Sequence, residues 1–147
     1  MELTIIIFLL GGLFLGWSLG ANDAANVFGT AVGTRMVQFK TAAIICSIFI
    51  ILGAVISGAG TTETIGKLGA INALPGAFAA CIAAGLSVYL MTKVGLPVST
   101  TQAIVGAIVG WNLYSGSPTN IKVLITILST WVLCPIIAGL ILSLIHI

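Results

Sequence analysis

The sequence predicts an all-α, polytopic transmembrane helical bundle with discontinuous or re-entrant helices. Three observations carry that prediction. The chain is 59% hydrophobic and 5% charged over 147 residues, whereas an average soluble domain carries roughly a quarter charged residues. A soluble fold so poor in charge would expose large apolar patches, and lipid is the solvent that accepts such a surface. The apolar residues fall in runs close to the ~20 residues that cross a ~30 Å hydrocarbon core. Two polar clusters, "GANDAAN" and "LPVSTTQ", adjoin or interrupt those runs. Residues 1–147 read as a single transmembrane domain, multi-pass in a plasma or inner membrane.

The first run, Leu3–Leu19, lacks a basic leader and an Ala-x-Ala cleavage site, so it reads as a retained helix rather than a signal peptide. "GANDAAN" follows, and the chain then turns apolar again through "VFGTAVG" before Arg35. The second run covers Thr41–Gly60, and "TTETIGKLGAIN" after it reads as a polar break carrying Glu63 and Lys67. The third covers Leu74–Thr92. The fourth, Ala103–Leu113, is too short to span alone, and Pro97 with three hydroxyl residues stands just before it. The fifth, Ile121–Ile147, is long enough, with Pro135 as an expected kink. It ends on "LSLIHI" without a polar stop, and His146 there reads as incidental. Five spans with the N-terminus outside would put Arg35, Lys40 and Lys93 on the cytoplasmic side. Glu2, Glu63, Lys67 and Lys122 would lie on the other, a slight positive-inside bias.

Composition also excludes function classes. The formal net charge is +2 and the five basic residues stand singly, so no footprint for nucleic acid exists. Cys46, Cys81 and Cys134 are odd in number, without Cys-x-x-Cys spacing, and read as small apolar side chains rather than a disulfide or zinc framework. An intramembrane aspartyl enzyme would need two coupled carboxylates. Besides Asp23 the chain offers only Glu2 and Glu63, the latter in a polar loop, so the chain reads as not an enzyme and as needing no cofactor. Gly12/Gly16, Gly16/Gly20, Gly29/Gly33 and Gly106/Gly110 have Gly-x-x-x-Gly spacing, which lets membrane helices approach closely.

The two polar clusters carry the chemistry. A carboxylate at membrane depth is costly and normally faces a bundle interior or a wet cavity. The bland alternative puts Asp23 in interfacial water. Apolar sequence on both sides favours an interruption: a helix break with a new half-helix starting near Asp23, which would share a face with Asn26. Pro97 followed by Ser99, Thr100 and Thr101 reads as the mouth of another half-helix, whose hydroxyls and free N–H groups suit an oxyanion. The alternative there is a simple N-cap on an ordinary helix. Broken helices with facing ends build the midplane sites of secondary transporters. An anion beside Asp23 needs compensating positive charge, and neither motif holds Lys or Arg. A hard cation on carboxylate and amide oxygens would supply it, so anion and cation would bind together as coupled symport. A passive anion channel or a structural membrane subunit is the alternative function.

"GANDAANVFGTAVG" and "GLPVSTTQAIVGAIVGW" resemble the signature motifs of the inorganic phosphate transporter (PiT) family, over Gly11 to Leu140. The resemblance implies uptake of inorganic phosphate coupled to Na+ or H+ by alternating access, and two inverted repeats that each bear both motifs. It implies cation ligands at Asp23, Asn26 and Asn22, phosphate ligands at Ser99, Thr100 and Thr101, and no metal beyond the coupling ion. Gln102 stands where many relatives carry His and is assigned no role. One copy of each motif is present, so the chain is expected to be the N-terminal inverted-repeat half of a larger transporter. It would then be completed by a C-terminal repeat or a second copy, and the full-length form is expected to be a homodimer.

Overall fold

The computed structural model describes residues 2–69 and 74–145. They form five helices: α1 (Glu2–Gly33), α2 (Phe39–Gly66), α3 (Leu74–Lys93), α4 (Thr100–Ser115) and α5 (Ile121–Ile145). His146 lies outside the described residues. α1, α2, α3 and α5 are long and apolar enough to cross a membrane. α4, with 16 residues, is only about 24 Å long at ~1.5 Å per residue, short of the hydrocarbon thickness.

Two expectations are corrected. α1 runs unbroken for 32 residues through Asn22–Asn26, where the sequence predicts a break. Asn and Asp disrupt a helix when their side chains turn back on their own backbone. Here Asn22 and Asp23 pair with residues 70 or more positions away, and the neighbouring alanines are strong helix formers. Gly33 therefore lies about 15 Å beyond Asp23 on the same helix axis, and the carboxylate stands well inside α1 instead of at its end. The break expected at "TTETIG" is also absorbed into helix, α2. Thr62 and Thr64 return their hydroxyls to the carbonyls of Gly58 and Gly60, and Lys67 pairs with Glu63. Polar groups satisfied within their own helix do not end it.

Side-chain pairings set the helix directions. Phe8 packs edge-on against Phe78 and Trp17 against Tyr89, each with ring centroids 5.7 Å apart. The two contacts step together along both helices, so α1 and α3 run parallel. Gly76, near the start of α3, meets Trp111, near the end of α4, so α4 returns antiparallel. The Asn120 N–H donates to the Leu68 carbonyl at 2.9 Å and sets the start of α5 beside the end of α2. Arg35, Lys40 and Lys93 thus gather at one end of the bundle. Glu63, Lys67 and Lys122 gather at the other, in the grouping the sequence predicts.

The glycines that allow close packing differ from those at Gly-x-x-x-Gly spacing. A Cβ at Gly11, Gly76 or Gly85 would stand 2.8 Å from Phe78, Trp111 or Phe14, respectively. Gly12, Gly16, Gly20, Gly29, Gly33, Gly106 and Gly110 have no such neighbour within 4 Å. Leu68, Ala80, Val105 and Ile108 form the core between α3 and α4, with Leu124, Ile127 and Trp131 of α5 against it. α2 lies against α1 across an apolar groove of about 580 Å³ whose walls include Gly20, Ala24 and Ala43. α5 contributes no buried residue and α2 only Ala42, so both offer hydrocarbon an apolar surface.

Candidate cation and anion site

The two motifs meet where α1 passes the loop between α3 and α4. That loop begins with a tight helix end. The Leu96 N–H reaches the Met91 carbonyl and the Gly95 N–H the Thr92 carbonyl, with Gly95 at φ 76°. This is a Schellman closure, and its left-handed residue favours glycine. The chain then extends through Pro97 and Val98 to Ser99. Ser99 has extended dihedrals (φ −87°, ψ 119°), and its hydroxyl oxygen accepts the Gln102 N–H at 3.3 Å. It is the N-cap of α4, as the hydroxyl run before a helix predicts.

The Thr100 Oγ1 donates to Asp23 Oδ2 at 2.7 Å, across 77 residues of sequence. Thr100 is 5% exposed and Asp23 is half-buried. Thr100 is expected among the anion donors; its hydroxyl proton goes to Asp23, which leaves the lone pairs of Oγ1. Asn26 is exposed, and its Nδ2 donates to Asn22 Oδ1 at 3.4 Å, which leaves its own carbonyl oxygen for another partner. Ser99 and Thr101 are exposed at the first turn of α4. The N–H groups of Thr100 and Thr101 have no intrahelical acceptor, as at any helix start. Ser99 and Gln102 also line a cleft of about 360 Å³ with Ser87, Met91, Pro97 and Val98.

Asn22, expected among the cation ligands, is tied into the fold by its side chain. It is 4% exposed and its carboxamide is used at both ends. Nδ2 donates to Thr92 Oγ1 at 2.8 Å and, more weakly, to the Leu96 carbonyl at 3.5 Å, while Oδ1 accepts the Val98 N–H at 3.1 Å. Lys93 is the basic residue nearest in sequence to the loop, and its ammonium sits over the Tyr89 ring, 5.5 Å from the centroid.

Sequence reasoning missed Thr92. Its hydroxyl donates to the Val88 carbonyl at 2.8 Å and accepts from Asn22. The only sequence signal was a hydroxyl at the end of the third apolar run. It also missed Asn112, fully buried at the far end of α4. Asn112 Nδ2 donates to Thr119 Oγ1 at 3.0 Å, against a Gly69 backbone that leaves no room for a Cβ.

The model of the phosphate transporter family matches residues 19–147. The chain belongs to the phosphate transporter family. Proteins named "Putative phosphate permease" in Pyrococcus furiosus and Methanocaldococcus jannaschii are 37% and 39% identical to it, over 92% and 88% of this chain. A solved structure described as "The sodium-dependent phosphate transporter" matches 95% of the chain with TM-score 0.82 and 35% identity. The family member described here spans 35% and 42% of the length of those two relatives and 37% of the solved chain. It is a multi-pass membrane protein of helical fold, and its relatives carry the names of permeases, not of enzymes.

Proposed function

We propose that this chain supplies one half-site of a Na+-coupled inorganic phosphate symporter that works by alternating access. The observation that carries the reading is the Thr100–Asp23 hydrogen bond, which joins the acidic motif of α1 to the hydroxyl motif of α4. A structural subunit has no need of that junction, and a passive anion channel has no need of a carboxylate in it.

On this reading the oxygens divide by charge. Asp23, the free carbonyl oxygen of Asn26 and the lone pairs of Thr100 Oγ1 hold the cation, since hard cations take carboxylate, amide and hydroxyl oxygens. The Ser99 and Thr101 hydroxyls, with the N–H groups of Thr100 and Thr101, donate to phosphate at the positive end of the α4 dipole. Each ion lowers the cost of the other: phosphate alone would face the Asp23 carboxylate, and the cation screens it. Coupling follows because the pair binds more easily than either ion alone. The sodium dependence named for the structural relative supports Na+ over H+. Because those relatives are longer, the complete site is proposed to include a second repeat or a second copy, with α1 and the α4 mouth as one wall that rocks against it.

The test is uptake of inorganic phosphate by proteoliposomes holding the full-length gene product. Saturable uptake that collapses when choline replaces Na+ is the expected result. Uptake kept in choline but driven by a pH gradient would replace Na+ with H+. Flux that neither saturates nor responds to any cation gradient would overturn symport.

A further inference from the structure

We infer that Asn22 is a positioning residue: its carboxamide holds the Leu96–Val98 loop and thereby fixes the Ser99–Thr101 anion mouth. The inference rests on the reading of that mouth as the phosphate site.

The geometry separates Asn22 from its neighbours in the motif. Leu96 and Val98 flank Pro97, which has no N–H. In an extended stretch the groups of residues i and i+2 on one edge face the same way, and a strand partner would normally pair with them. No strand is present there. The Asn22 carboxamide takes that place, with Nδ2 toward the Leu96 carbonyl (3.5 Å) and Oδ1 accepting the Val98 N–H (3.1 Å). The same Nδ2 is anchored on Thr92 Oγ1 at 2.8 Å, itself tied to the Val88 carbonyl. One buried side chain of α1 thus connects the last turn of α3 to the residue just before the α4 cap. Asn22 Oδ1 also accepts from Asn26, so two donors already occupy the lone pairs a cation would need. Without this clasp the Leu96–Val98 stretch loses its side-chain tie to α1, and the residue leading into the Ser99 cap is no longer fixed against that helix, while the Thr100–Asp23 bond stays. A donor array displaced by about 1 Å binds its ligand much less well.

The test uses Asn22→Ala and the milder Thr92→Val in the full-length gene product, with two independent readouts. Hydrogen exchange reports the clasp without reference to any ligand. Amides 98–102 should exchange roughly tenfold faster in N22A and less so in T92V. Phosphate kinetics at saturating Na+ report the mouth. The KM should rise about tenfold in N22A and about threefold in T92V, with Vmax per folded protein little changed. The double variant should match N22A alone, because both act through one contact. Unchanged exchange in both variants would overturn the clasp. A shift confined to the Na+ half-saturation would also overturn it, and would make Asn22 a cation ligand. Faster exchange together with no phosphate uptake by the unmodified protein would support the clasp and refute the phosphate reading, so the two failures are distinguishable.

Discussion

Replacing Thr100 by Val removes one hydroxyl and nearly conserves volume, so it addresses the junction of the two motifs with little disturbance of packing. The bond lost is the 2.7 Å donation to Asp23 Oδ2 from a side chain that is 5% exposed. A hydrogen bond to a charged group contributes about 1.5–3 kcal/mol. Asp23 is only half-buried, so water replaces part of what is lost, and the lower end of the range applies. About 1.5 kcal/mol corresponds to roughly tenfold in an apparent binding constant. If Thr100 serves the cation, the Na+ concentration for half-maximal phosphate uptake rises about tenfold in T100V. The phosphate KM at saturating Na+ should move less than about threefold, because the mouth keeps Ser99, Thr101 and its backbone donors. Thr100→Ser keeps the hydroxyl and should stay close to the parent. The assay is uptake by proteoliposomes over a Na+ titration at fixed phosphate. An unchanged Na+ dependence in T100V, or T100S as impaired as T100V, would refute the assignment: the first removes the hydroxyl from cation binding, the second makes the effect one of packing.

Asp23→Asn keeps shape and hydrogen-bonding capacity but deletes the charge, and should abolish the Na+-dependent component of phosphate uptake; uptake with its Na+ dependence intact would exclude Asp23 as a ligand. Ser99→Ala should lower thermal stability by about 1 kcal/mol through loss of the α4 cap and raise the phosphate KM several-fold. Ser99→Asp restores a cap while placing a carboxylate at the mouth, so its stability should recover and its KM rise further, read by thermal denaturation and uptake on the same preparations. Gly85→Ala puts a Cβ 2.8 Å from Phe14 and 3.3 Å from the Leu15 backbone, which should cost about 1–3 kcal/mol as an overpacked contact. Gly12→Ala meets nothing within 4 Å and should leave the melting temperature in detergent nearly unchanged.

How much of the site was legible in the sequence depends on the range of each interaction. The Ser99 cap was legible because it joins a hydroxyl to an N–H three residues on, and capping is a local property. The helix break at Asn22–Asn26 was misread for the opposite reason. Asn and Asp signal a break when their side chains serve their own backbone, but here the partners are Thr92, Leu96, Val98 and Thr100. Nothing within seven residues of Asp23 announces them. Thr100 shows the same limit: three adjacent hydroxyls look alike in sequence, and the packing of α4 against α1 turns one of them to the carboxylate while Ser99 and Thr101 stay exposed.

The sequence by itself determined what solvent the chain lives in and where its long helices lie. Apolar runs near membrane length and a 5% charge content admit few other outcomes, because backbone polar groups in hydrocarbon must be satisfied inside each helix. The charge grouping at the two ends of the bundle followed from the same runs. Only the tertiary structure decided which glycines matter: none of the positions at Gly-x-x-x-Gly spacing meets a neighbour within 4 Å, and the crowded ones are Gly11, Gly69, Gly76 and Gly85. It also decided where the side chains of "GANDAAN" turn. On one continuous helix, successive residues point about 100° apart, so Asn22 turns to the loop and Asp23 to α4. A helix break would have left both free to serve one ion. The direction of a side chain is set by what packs against its helix, and a one-dimensional pattern does not contain that.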